Sequence, residues 1–97
     1  VRFQSHLDGA PLTLTPEGAV QIQEALGADI MMCLDELLAL PADEPTLRAA
    51  LQRTTRWAER CRAARSGENA LFGIVQGGTV PALRAESAEA LRAIGFD

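Results

Sequence analysis

Asp35 and Gln76 each close a short apolar run, ahead of a turn. The runs are Asp29-Ile30-Met31-Met32-Cys33-Leu34-Asp35-Glu36 and Ala70-Leu71-Phe72-Gly73-Ile74-Val75-Gln76-Gly77-Gly78. An ionised carboxylate offers only acceptors, a carboxamide offers donors as well, and the N–H of Gly77 can approach a ligand closely because no side chain intervenes. Guanine presents two adjacent donors, N1–H and the exocyclic amine, with the O6 acceptor beside them. Asp35 would take the donors, and Gln76 with the Gly77 N–H would supply O6. A carboxylate in such a place is equally compatible with metal or sugar binding.

The elements around the two runs decide how they could meet. A near-continuous apolar run reads as a strand buried in a parallel sheet, and in a (β/α) barrel the chemistry sits at the C-terminal ends of such strands. Strands are expected near Ile30–Leu34 and Leu71–Val75, with right-handed crossovers bringing Asp35 and Gln76 to one rim. Ahead of them, Arg2–Asp8 and Leu12–Leu14 alternate around the turn dipeptide Asp8-Gly9, which predicts a β-hairpin over residues 1–14. Residues 15–97 read as βα units. Thr15 and Pro16 open a helix in which Val20, Ile22, Ala25 and Leu26 form the apolar face, and Gly27 ends it in the left-handed conformation. Leu37–Pro41 reads as a loop. A helix over Glu44–Arg65, capped by Asp43 or a neighbour, carries Leu47, Ala50, Leu51, Thr54, Trp57, Ala58, Cys61 and Ala64 at three- and four-residue spacing, with Gly67 as its stop. Trp57 reads as core. A third helix runs over Pro81–Ile94 on Leu83, Ala90, Leu91 and Ile94, and Gly95-Phe96-Asp97 reads as the start of a further strand.

The fold class is therefore α/β, with parallel βα units. A complete (β/α)8 barrel takes about 250 residues, so the 97 residues of this chain are expected to be a fragment of something larger. Hydrophobic content of 47% and charged content of 23% are those of an ordinary globular protein, and no apolar run approaches a membrane span. Without a secretory signal, the expected location is cytoplasmic. The net charge of −4 argues against this segment alone forming a nucleic-acid surface. The chain has no lysine, yet Arg48, Arg53, Arg56, Arg60, Arg62 and Arg65 crowd one helix. They read as a solvated face, with an RNA-contacting stripe as the alternative. Cys33 and Cys61 show no metal or redox spacing and are expected to be buried thiols. His6 has no partner at ligand spacing and is expected to serve a hairpin hydrogen bond, Asp8 to form the turn, and Glu36 to pair with an arginine or water.

A run of short segments adds a family. Phe3-Gln4-Ser5-His6-Leu7-Asp8-Gly9, Leu14-Thr15-Pro16-Glu17, Ile22-Gln23, Leu26-Gly27-Ala28-Asp29-Ile30-Met31-Met32, Asp35-Glu36, Arg56-Trp57-Ala58, Glu68 through Gly78 and Ile94-Gly95-Phe96-Asp97 resemble, in the same order, the tRNA-guanine transglycosylases, and the bacterial branch more than the archaeal. The resemblance covers the whole chain. It implies a fragment of a (β/α)8 barrel enzyme of queuosine biosynthesis, a pentosyltransferase that exchanges the wobble guanine of tRNA for a 7-deazaguanine base. On the matching positions it makes Asp35, Gln76 and Gly77 base-binding residues. It implies a nucleophilic aspartate, an acid/base aspartate and a cysteine-rich zinc site elsewhere in the family's sequence, so this section supplies no catalytic residue and no metal ligand. It also implies tRNA and a guanine or deazaguanine base as partners, and a homodimer at full length. Leu37 departs from the pattern, standing where bacterial members commonly have cysteine. The alternative within the family is a non-catalytic tRNA-binding or partner subunit. Outside it stands an unrelated barrel enzyme that uses Asp35 on sugar or phosphate.

Overall fold

The computed structural model describes all residues 1–97. In chain order they form β1 (Arg2–Gln4), β2 (Pro11–Thr13), α1 (Pro16–Ala25), β3 (Ile30–Met32), α2 (Glu44–Ala64), β4 (Ala70–Phe72) and α3 (Pro81–Ile94). β1 and β2 pair antiparallel with Phe3 opposite Leu12. The Asp8 carboxylate forms the turn by accepting the Ala10 N–H at 3.0 Å. β3 and β4 pair in parallel, Met31 opposite Leu71, so their C-terminal ends share one rim.

Local chemistry sets the helix limits. Thr15 Oγ1 accepts the Gly18 N–H and Asp43 Oδ1 accepts the Thr46 N–H, each filling an orphan donor of a helical first turn. Pro16, Pro45 and Pro81 stand in first turns, where a missing N–H costs nothing. Gly27, at φ 72°, ends α1 as expected. The end of α2 differs from expectation. Arg65 leaves the helix in extended conformation and Gly67 has no positive φ. The Glu24 carboxylate instead holds the turn, accepting the N–H groups of Ser66 and Gly67 at 2.8 and 3.1 Å.

All three helices belong to one layer. Val20 from α1, Ala58 and Cys61 from α2 and Leu91 from α3 cluster on Met31, Cys33 and Leu71, and a second cluster joins Leu47 and Leu51 to Leu83. A least dimension of 17 Å fits a single helix layer on a single strand layer. The other sheet face is open, which corrects the expectation of strands buried on both sides. Met31 and Leu71 are fully buried, while Ile30, Met32 and Phe72 are 57, 42 and 39% exposed. Side chains alternate across a strand, and only one face meets helices here. For the same reason the apolar face expected for α1 narrows to Pro16, Ala19 and Val20, with Ile22 and Leu26 exposed.

Both edges of the parallel sheet are capped, one by a side chain and the other by a side chain together with its own backbone N–H. Gln23 bonds the N–H and C=O of Met32 on the free edge of β3. On the free edge of β4, Asp97 Oδ2 accepts the Leu71 N–H and the Asp97 N–H donates to Leu71 O. The chain after α3 thus runs beside β4 where a further strand was expected, though Gly95–Asp97 is not itself strand. The arginines of α2 also do more than face solvent. Arg48 pairs with Glu86, Arg53 with Glu36, Arg60 with Glu17 and Arg65 with Asp97, and Arg62 bonds Gly95 O. Only Arg56 of the six has no protein partner. Trp57 is half-buried. No helix is long and apolar enough to cross a membrane.

Candidate functional site

Beyond the last strand pairs the two chains diverge from the sheet, and each is held by a buried hydroxyl on the helix that follows it. The Cys33 N–H still donates to Phe72 O at 3.0 Å. Next, the Glu36 N–H donates to Thr54 Oγ1 of α2 at 2.9 Å, and the Gln76 N–H donates to Ser87 Oγ of α3 at 3.0 Å. Thr54 and Ser87 are each 2% exposed. A buried hydroxyl that accepts a backbone N–H is satisfied in place, and its removal would leave that N–H dry and unpaired. Each hydroxyl therefore fixes one site segment against one helix.

The result is a direct contact between the two predicted residues. Gln76 Nε2 donates to Asp35 Oδ2 at 2.7 Å, across 41 positions of sequence. The Gln76 side chain is buried and Asp35 is half-buried. Together with Gly77, Leu37, Leu47 and Arg84 they line a cavity of about 330 Å³, at the small end for a ligand site. With one bond spent on its partner, Asp35 keeps Oδ1 and a remaining lone pair on Oδ2 as acceptors, and Gln76 keeps a second N–H and its carbonyl oxygen. The Gly77 N–H has no acceptor in the chain. Acceptors thus lie beside donors along one wall, a pattern suited to a flat polar ligand with the opposite order.

Gly77 has a further reason to be glycine. Its φ is 118°, and a Cβ there would stand 2.7 Å from Arg84 N and 2.8 Å from Leu83 C in the first turn of α3. Close helix packing demands the bare backbone regardless of any ligand. Leu37, 82% exposed, sits at the cavity mouth. Glu36, which also lines the cavity beyond the end of β3, pairs with Arg53 at 2.5 Å. His6 is exposed in the hairpin turn and makes no hydrogen bond, so the one expected of it is not found.

Three participants escaped the sequence reading. Ser87 and Thr54 carry a signal in retrospect, since each is a hydroxyl on the core-facing stripe of its helix: Leu83, Ser87 and Leu91 recur every four residues. Gln23 carries none, because nothing local says that its carboxamide reaches β3. Cys33 and Cys61, from separate elements, lie in the same buried cluster. Contact with Cys61 and burial push the Cys33 thiol up, which suits it to a core role. No three His, Cys, Asp or Glu side chains gather where they could hold a metal ion, so these residues offer zinc no seat.

Comparison with known proteins bears on the same 97 residues. The family model described as queuine tRNA-ribosyltransferase matches residues 1–97. A queuine tRNA-ribosyltransferase of Ruegeria pomeroyi is 53% identical over 100 residues, covering 100% of this chain and 26% of the relative. One from Desulforamulus reducens is 50% identical over 97 residues, covering 99% and 26%. One from Deinococcus radiodurans is 52% identical over 91 residues, covering 93% and 23%. The chain spans about a quarter of the length of these curated relatives.

Proposed function

Since the chain belongs to the queuine tRNA-ribosyltransferase family, we propose that residues 1–97 are the base-reading section of a tRNA-guanine transglycosylase. In this reading, the hairpin over 1–14 and the βα units over 15–97 form part of a (β/α)8 barrel, and Asp35 and Gln76 stand on its C-terminal rim. The intact enzyme exchanges the wobble guanine of tRNA for a 7-deazaguanine base, in the cytoplasm and as a homodimer. The reaction's nucleophile, its acid/base group and its zinc site belong to other parts of that polypeptide.

The observation that carries the proposal is the 2.7 Å bond between Gln76 and Asp35 over the cavity. It sets a carboxylate beside a carboxamide, a pairing that supports the reading of a guanine edge as the ligand. Asp35 receives N1–H and the exocyclic amine. The second N–H of Gln76 and the N–H of Gly77 serve O6. The Gln76–Asp35 bond fixes the carboxylate before the base arrives, which reduces the ordering cost of binding. Apolar Leu47, buried in the cavity wall, keeps water from one side of these bonds and so strengthens them.

The test is guanine exchange into tRNA by the intact enzyme. Asp35→Asn keeps the shape, but it replaces one acceptor with a donor and removes the charge. A bidentate base contact is worth about 1–3 kcal/mol, so kcat/KM should fall roughly tenfold to a hundredfold. Gln76→Ala should cost less, because the Gly77 N–H remains for O6. With folding verified by thermal melting, an Asp35→Asn enzyme as active as wild type would remove Asp35 as the base reader.

A further inference from the structure

Ser87 is a polar residue on a stripe made for packing. Leu83 and Leu91 stand one turn to either side of it on α3, and all three are buried. A hydroxyl in such a place costs stability unless it is bonded, and an alanine would fill the space without that cost. Inside a helix a hydroxyl commonly bonds a carbonyl one turn back, as Thr55 does with Leu51 O at 3.0 Å. Ser87 makes no such bond, and its oxygen instead accepts the Gln76 N–H at 3.0 Å, across 11 positions of sequence. That is the only hydrogen bond made by the backbone of residues 73–76. Strand pairing lies in the plane of a sheet, so an N–H turned onto the helix of its own βα unit is out of reach of a neighbouring strand on either side.

We propose that Ser87 is a positioning residue for base recognition that acts through Gln76: its hydroxyl fixes the main chain of Gln76 where the carboxamide meets Asp35. This rests on the reading of Gln76 given above. Gln76 is held at two ends, by Ser87 Oγ at its N–H and by Asp35 Oδ2 at its Nε2. With the main chain already fixed, the carboxamide has less freedom to lose on meeting Asp35 and a base. The β3 unit uses the same device, since the Glu36 N–H, at the register position of Gln76, goes to Thr54 Oγ1 on α2. Thr54 holds the residue after Asp35, whereas Ser87 holds a base-binding residue itself. Ser87 does not line the cavity, so its loss should weaken binding of the base and leave the chemistry of the bound base nearly unchanged.

A double-mutant cycle in the intact enzyme separates this role from packing. Ser87→Ala should raise KM for guanine roughly three- to tenfold, the worth of one neutral hydrogen bond, with kcat changed much less. In a Gln76→Ala background the carboxamide that Ser87 positions is gone, and the same substitution should change KM by less than about twofold. Ser87→Cys keeps a weaker acceptor in nearly the same volume. Its KM should fall between those of wild type and Ser87→Ala, and it goes through the same cycle if the alanine enzyme does not fold. A purely structural Ser87 would lower the melting temperature while KM stays at the wild-type value, or would raise KM by the same factor in both backgrounds. Either result overturns the proposal. Gln76→Ala alone distinguishes the failures. If it raises KM while the Ser87 variants do not, only the positioning role falls. If it too is without effect, the base-binding assignment of Gln76 falls first.

Discussion

At the scale of single residues, the site depends on groups with two obligations. Gln76 orients Asp35 while keeping a second N–H unspent, and Gly77 lies buried under the first turn of α3 with an N–H that has no acceptor in the chain. Gly77→Ala should therefore damage the fold before it damages recognition. The positive φ alone costs about 1–3 kcal/mol, and the 2.7 Å approach to Arg84 N has no flexible side chain to yield. A clear fall in melting temperature is expected, and an unchanged one would show that α3 can move away. Ser87→Ala tests the other support. It leaves the Gln76 N–H buried without an acceptor, at a cost of about 1–3 kcal/mol, and denaturant unfolding of the intact enzyme should register it.

At the scale of elements, the legible parts are those encoded by neighbours in sequence. Thr15-Pro16, Asp43 and Pro81 mark helix starts by local geometry, and α3 spans Pro81–Ile94 as its periodicity predicts. Links across elements were not legible. Glu24 closing the end of α2, Gln23 closing β3 and the Arg60–Glu17 pair join positions whose proximity only the completed fold creates. The same links predict acid sensitivity. The Arg60 guanidinium holds Glu17 at about 2, against an ordinary 4.5, and the Ser66 and Gly67 N–H groups hold Glu24 below its usual range. A folded pKa below the unfolded one gives stability that is present above the ordinary value and lost as pH falls toward the folded value. Melting temperature should accordingly drop between pH 4.5 and about 2. Glu17→Gln should flatten part of that drop, by a small amount because the pair is exposed to solvent. An equal slope in wild type and variant would mean that the pair adds nothing.

At the scale of the whole molecule, one sheet face is covered and the other is open. The continuous apolar runs suggest doubly buried strands because Ile30, Met32 and Phe72 have the composition for a second covered face, whereas these 97 residues cover only the first. The isolated chain should bind an apolar fluorescent dye and show no guanine exchange, whereas the intact enzyme should bind little dye. Exchange by the isolated chain above a blank would mean that it holds more of the machinery than the family resemblance implies. The central claim, that Asp35 reads the donor edge of guanine, is tested most directly by comparing guanine with hypoxanthine, which lacks the exocyclic amine, as competing bases for the intact enzyme. Wild type should prefer guanine roughly tenfold or more, the value of one hydrogen bond to a charged group, and Asp35→Asn should bring that ratio close to one. A preference for guanine that survives intact in Asp35→Asn would contradict the account, because some other group would then be recognising the amine.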